Sequence, residues 1–275
     1  MAKVIWLFLL LGVLEFGVAN GQDLAVQEST QVDISKDPKL NALRWMQNAA
    51  EYQILTKQAY RLATFQLNKA LDDPSWTADE VQARSEDYQT KKPAIILDVD
   101  ETVLDNSPFN ARNILDGKPF SLATWNDWCN EAQARAVPGA LKFIQGAKEK
   151  GVEVFYVTNR RDVVRTATLK NLKALGFPGD EEHLLTRNDD QGRGGDKVSR
   201  RAMVAEKHRI ILLIGDNMSD LCSGMDVRDQ AERNRVAAQK EKMLGARWIL
   251  LPNPVYGGWE RALNRDDDNL DPARK

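Results

Sequence analysis

The sequence predicts an α/β protein: a doubly wound, Rossmann-like parallel sheet with an N-terminal helical extension and a small cap. Three observations carry this. From Pro93 onward, five apolar, β-branched runs alternate with amphipathic stretches, the rhythm of strand–helix–strand units. Polar and acidic residues gather where those runs end, as they do around ligands at the carboxyl ends of an open parallel sheet. Finally, 275 residues that are 43% hydrophobic are enough to bury one sizeable core.

The elements follow in order. Residues 1–21 combine Lys3, an apolar run from Val4 to Leu14 and small residues at Val18, Ala19 and Gly21. That is the layout of a secretory signal peptide, with cleavage expected near Ala19 to Gly21. The apolar run is short for a bilayer span, so an exported product, periplasmic or secreted, is expected. Residues 22–92 form an N-terminal helical segment: a polar lead-in, then a long helix or helical pair opened by Asp37 as N-cap and Pro38 at the first position. Leu43, Met46, Ala50 and Ile54 share one expected buried face, and Leu55, Ala59 and Leu62 a neighbouring stripe. Residues 93–262 are the core, with strands expected at 94–99, 152–158, 183–187, 209–215 and 247–252. The acidic stretch at 263–275 reads as a polar tail.

Charge and composition exclude some functions. With 38 basic and 40 acidic residues the net charge is −2, which gives no field for a nucleic-acid polymer. Cys129 and Cys222 read as two separate buried thiols. His183 and His208 neighbour no motif and read as structural, which excludes phosphatase chemistry based on histidine.

Four polar signatures fall in sequence around the strand ends: "DVDET" (Asp98, Asp100), "TNR" (Thr158, Asn159), Lys197 in a glycine-rich loop, and "GDNMSD" (Asp216, Asp220). Converging carboxylates repel unless a cation lies among them, and an all-oxygen set suits Mg²⁺. A carboxylate can attack phosphorus to give an aspartyl-phosphate, and a second carboxyl two residues on can protonate the leaving oxygen and then activate water. Thr158, Asn159 and Lys197 can donate to phosphoryl oxygens.

These four signatures resemble the motifs of the haloacid dehalogenase superfamily of phosphohydrolases. "EYQILTKQAY", "LDVDETVLDNSPF", "RAVPGAL", "VFYVTNRRD", "IGDNMSDL" and "LPNPVYGGWE" resemble more closely the class C bacterial acid phosphatases, the lipoprotein e 5′-nucleotidase family, from about residue 40 to 262. The resemblance implies a haloacid dehalogenase-like core and a Mg²⁺-dependent acid phosphatase acting on small phosphomonoesters such as nucleoside monophosphates and aryl phosphates. It implies Asp98 as nucleophile, and Asp100 as acid/base with its main-chain carbonyl on the metal. Asp216 would be a direct ligand, Asp220 a holder of metal-bound waters, and Thr158, Asn159 and Lys197 the phosphate contacts. Trp125 and Tyr256 match positions that stack the leaving group. The family archetype is a lipoprotein, but no cysteine follows the apolar run here, so no lipid anchor is expected. Homodimerisation is left open. Rival readings are a class B-like or sugar-phosphate phosphatase of the same superfamily, and a non-catalytic secreted nucleotide-binding protein.

Overall fold

A computed structural model describes residues 33–193, 195–225 and 229–263. The expected signal peptide, and all but the first residue of the expected tail, lie outside the described residues. The N-terminal segment is a helical pair, α1 (Leu40–Asn48) and α2 (Ala50–Asp72). Ala49 between them is extended, at φ −76° and ψ 132°. Asp37 accepts the Lys39 N–H at 2.8 Å, and α1 begins one residue later.

The break at Ala49 resets the helical phase, and this corrects the expected apolar stripe. Leu43 and Met46 are buried as expected, but α2 turns Tyr52, Thr56, Tyr60, Ala63, Leu67 and Ala70 inward. Ile54, Leu55 and Leu62 are 53%, 44% and 38% exposed. A single uninterrupted helix would have kept the predicted face; two helices need not share one.

Strand β1 (Lys92–Leu97) leads into the cap insertion. There the short strands β2 (Leu104–Asp105) and β3 (Arg135–Ala136) pair antiparallel, with α3 (Ser107–Leu115) and α4 (Leu122–Glu131) between them in sequence. The chain continues through α5 (Ala140–Glu149), β4 (Glu153–Arg161), α6 (Arg165–Ala174), β5 (Leu184–Arg187), α7 (Val198–Lys207) and β6 (His208–Gly215). It then runs through the single turn α8 (Met218–Leu221), α9 (Gln230–Gln239), β7 (Trp248–Leu250) and α10 (Gly258–Leu263). The five expected strands are β1, β4, β5, β6 and β7, all parallel, in the order β5–β4–β1–β6–β7.

Alternation along the strands divides the core into two layers. Ile95, Leu97, Val154 and Tyr156 face the side covered by α2, α5 and α6, while Ala94, Ile96, Phe155 and Val157 face the other. β6 shifts register against β1, since Ala94 pairs with Ile210 and Ile95 with Leu212. The extra residue puts Ile211 and Leu212 on the same layer. From β1 the chain winds outward through β4 to β5, then returns to the other side of β1 with β6. The crevice at that reversal lies over the carboxyl ends of β1 and β6. Cys129 and Cys222 are free and buried in different layers.

Candidate active site

Asp98 is the first residue past β1, and its N–H donates to Ile214 O at 2.9 Å, tying it to the end of β6. The loop beyond folds back tightly: Val103 and Leu104 N–H groups both reach Val99 O, at 2.9 and 2.8 Å. Glu101 takes a left-handed φ of 54° in this turn. Asp216 follows β6, and Asp220 comes from α8. Its Oδ2 accepts the Asn217 N–H at 3.0 Å in a capping box that fixes the carboxylate as the turn begins. Gly215 makes room for it: a Cβ there would lie 2.5 Å from both Cβ and Oδ2 of Asp220.

Asp98, Asp216 and Asp220 thereby place one carboxylate oxygen each within 4.8 Å of one another. The Lys197 ammonium donates to Oδ1 of Asp98 and, at 2.6 Å, to Oδ1 of Asp220. Lys197 is itself buried at a left-handed φ of 61°. One cation among three carboxylates leaves negative charge in excess. Burial pushes the Asp98 carboxyl up to about 7, with Asp220 and Asp100 adding to the rise and Lys197 opposing it. Burial, then Asp220 and Asp98, holds Asp216 well above the usual carboxylate range. Lys197 is raised because the two carboxylates outweigh its desolvation. An oxygen-only donor set with surplus charge in a buried crevice fits a hard divalent cation. Thr102 Oγ1 at 3.4 Å and Asn253 Nδ2 at 2.8 Å hold the two oxygens of Asp216.

The Asp100 carboxylate lies outside that cluster. Its Oδ1 accepts from Arg160 Nε and Asn106 Nδ2, each at 2.9 Å, with Arg160 Nη2 in ion-pair contact at 2.8 Å, while Oδ2 accepts from Thr158 Oγ1 at 3.3 Å. Thr158 is fully buried at the end of β4. Asn159 is exposed, donates to Gly195 O at 3.0 Å and accepts from Arg200 Nη2 at 2.7 Å.

Trp125, in α4, meets Phe109 edge-on at 5.0 Å and Phe120 at 6.3 Å, with the Arg160 guanidinium 5.3 Å from its ring centre. Tyr256 packs with the α1 cluster instead, and its hydroxyl donates to Oε2 of Glu101, a fully buried carboxyl raised by that burial and by Asp100 and Asp216. Contacts thus gather Asp98, Lys197, Asp216 and Asp220 in one group and Asp100 with Thr158 in another beside it. Trp125 and Tyr256 are tied to the same loop through Arg160 and Glu101, and no ring contact joins the two among the described residues. His183 and His208 stand at the amino ends of β5 and β6, away from the site, around Phe155.

Sequence reasoning missed Glu101, Asn106, Arg160, Gly215 and Asn253. All five fall inside the quoted signatures, so the available signal was their presence beside the acidic residues.

A family model described as HAD superfamily, subfamily IIIB (acid phosphatase) matches residues 18–259. The chain is 31% identical over 165 residues to Acid phosphatase 1 of Solanum lycopersicum, covering 58% of this chain and 57% of that one. It spans less than two thirds of the length of the curated relatives it matches. The class C acid phosphatase of Bacillus anthracis superposes with a TM-score of 0.73 at 36% identity, covering 86% of this chain and 92% of that one. The same enzyme with tungstate bound superposes with a TM-score of 0.72 at 36% identity, covering 84% and 90%. The chain belongs to subfamily IIIB of the haloacid dehalogenase superfamily, the acid phosphatases.

Proposed function

We propose that the protein is a Mg²⁺-dependent phosphomonoesterase that cleaves nucleoside monophosphates and aryl phosphates through an aspartyl-phosphate on Asp98. The observation that carries this is the placement of Asp98, at the carboxyl end of β1, between Lys197 and the carboxylates of Asp216 and Asp220. Asp98, Asp216 and the Asp100 main-chain carbonyl would hold the ion, with Asp220 holding its waters. When bound, the ion neutralises charge so that an anion can approach an anion.

Lys197 engages Oδ1 of Asp98, so Oδ2 attacks phosphorus. The bond from phosphorus to the leaving oxygen breaks, and Asp100 gives that oxygen its proton. Asp100 then takes a proton from water, the hydroxide attacks phosphorus, and the bond to Asp98 breaks to release phosphate. On binding substrate Thr158 turns its one hydroxyl proton from Asp100 Oδ2 to a phosphoryl oxygen, Asn159 and Lys197 donate beside it, and Trp125 and Tyr256 stack against flat leaving groups. The Bacillus anthracis relative binds tungstate, an oxyanion, which supports a phosphate-like ligand for this chain. Export follows from the pattern at residues 1–21, and none of the described helices is long and apolar enough to cross a membrane.

The test is a panel of nucleoside 5′- and 3′-monophosphates, aryl phosphates and sugar phosphates, with and without chelator. Chelator-sensitive release of phosphate from nucleotides and aryl esters is expected. Saturable binding without product would instead identify a binding protein on this scaffold.

A further inference from the structure

We propose that Arg160 is a positioning residue: it pins Oδ1 of Asp100 so that Oδ2 alone is presented to the leaving oxygen. This rests on the reading of Asp100 as the acid/base.

Along the end of β4, Thr158 and Arg160 point inward while Asn159 and Arg161 are exposed. Arg160 is only 2% exposed. Burying a guanidinium is costly unless its donors are met, and here each nitrogen has a partner. Nε and Nη2 reach Asp100 Oδ1, Nη2 also reaches Asn106 Oδ1 at 3.0 Å, and Nη1 reaches Thr168 Oγ1 at 3.2 Å. The Trp125 ring lies over the guanidinium. An arginine beside a phosphate cradle would ordinarily be assigned to the phosphate, but this one spends its donors on Asp100 and its neighbours.

Asn106 completes the device. Its Oδ1 accepts from both Arg160 and Trp128 Nε1, the latter at 2.8 Å, which fixes the amide so that Nδ2 donates to Asp100 Oδ1. Oδ1 therefore accepts two hydrogen bonds, one for each lone pair, with the Arg160 Nη2 charge a further 2.8 Å ion-pair contact, whereas Oδ2 receives one hydroxyl at 3.3 Å. A carboxyl held this way has no lone pair on Oδ1 left for a proton, so the proton it delivers rides on Oδ2. The carboxyl also cannot rotate to exchange its two oxygens without breaking both hydrogen bonds and the ion pair.

The consequence depends on the leaving group. Alkoxides and nucleoside leaving oxygens need that proton; the p-nitrophenolate ion hardly does. A misplaced acid should therefore penalise the first class selectively, which a general loss of structure would not do. The readout is kcat/KM, because it reports the steps up to phosphoryl transfer to Asp98 and so still contains departure of the leaving group.

Arg160→Lys is expected to lower kcat/KM for a nucleoside monophosphate by about 100-fold, the lower range for loss of a general acid. The loss on p-nitrophenyl phosphate should be only a few-fold, and a series of aryl phosphates should show a steeper dependence on leaving-group acidity. Equal losses across the series would overturn the proposal. If Arg160→Lys does not fold, Asn106→Ser, which removes one of the two hydrogen-bond donors to Oδ1, must show the same selectivity in smaller measure, and its absence overturns the proposal equally. Asp100→Asn separates the two levels. If its own losses are not selective, the acid/base reading fails; if they are selective while those of Arg160→Lys are not, only the positioning role fails.

Discussion

Removing the charge of Asp98 should stabilise the metal-free protein, and by an amount that grows with pH. The carboxyl is 7% exposed, and burial with neighbouring carboxylates moves it from 3.8 to about 7. A raised carboxyl favours the folded state most when protonated, so this contribution is intact below the unfolded value and is lost as pH rises through the folded one. About three pKa units at 1.36 kcal/mol each give roughly 4 kcal/mol lost by about pH 8. Asp98→Asn keeps the size and removes the ionisation. In chelator it should match the wild type near about pH 4 and melt higher near about pH 8, by roughly 8–16 °C at about 2–4 °C per kcal/mol. Mg²⁺ should have its main effect on the wild type at the higher pH, since its ligands must be deprotonated. Thermal unfolding across this range, with chelator or excess Mg²⁺, decides it. Superimposable pH profiles for the two chelated proteins, or equal Mg²⁺ stabilisation of both, would show that the Asp98 charge does not destabilise the metal-free fold.

Tyr256 carries two separable effects. Tyr256→Phe removes the donor to buried Glu101 and should cost about 1–3 kcal/mol of stability with KM nearly unchanged. Tyr256→Ala should in addition raise KM for nucleoside and aryl phosphates by about tenfold, consistent with about 1–3 kcal/mol of stacking, and leave a small aliphatic phosphate nearly unaffected; equal losses would show a purely structural residue. Gly215→Ala pushes a methyl against Asp220, so turnover should fall at least tenfold, or about 1.4 kcal/mol in the barrier, while a wild-type rate would show that α8 can yield. Glu153, held down to about 2 by its hydrogen bond to Lys92 and by Lys148 against the opposing effect of burial, favours folding above its unfolded value. That contribution is lost as pH falls from about 4.5 toward 2. Glu153→Gln should cost about 1 kcal/mol near neutral pH and flatten the acid limb of the melting curve.

The sheet was legible because its strands are buried on both faces and read as continuous apolar runs; β1, β4, β5, β6 and β7 lie within a few residues of the predicted segments. Three carboxylates were legible because Asp98, Asp216 and Asp220 sit beside strand ends, where sequence order predicts convergence; the expected fourth, Asp100, turns its carboxylate to Arg160 and Asn106 instead. The α2 face was not legible, because a one-residue break at Ala49 shifts every later side chain. Nor were the supporting contacts, whose partners are far apart in sequence: Asn253 with Asp216 is 37 residues, Arg160 with Asp100 is 60, and Tyr256 with Glu101 is 155. Periodicity reports which face is buried, not which distant group meets it. The signature "TNR" pointed to Thr158 and Asn159, but only the geometry shows Arg160 turned toward Asp100.

Whether Asp98 carries the phosphoryl group can be read from acid-quenched single turnover. Enzyme in excess over a labelled aryl phosphate should, on quenching, retain label that hydroxylamine removes and that maps to the peptide containing Asp98. The label should be absent from Asp98→Asn, with turnover reduced by several orders of magnitude. Label on another residue, or Asp98→Asn keeping more than about a tenth of the wild-type rate, would rule out Asp98 as the nucleophile.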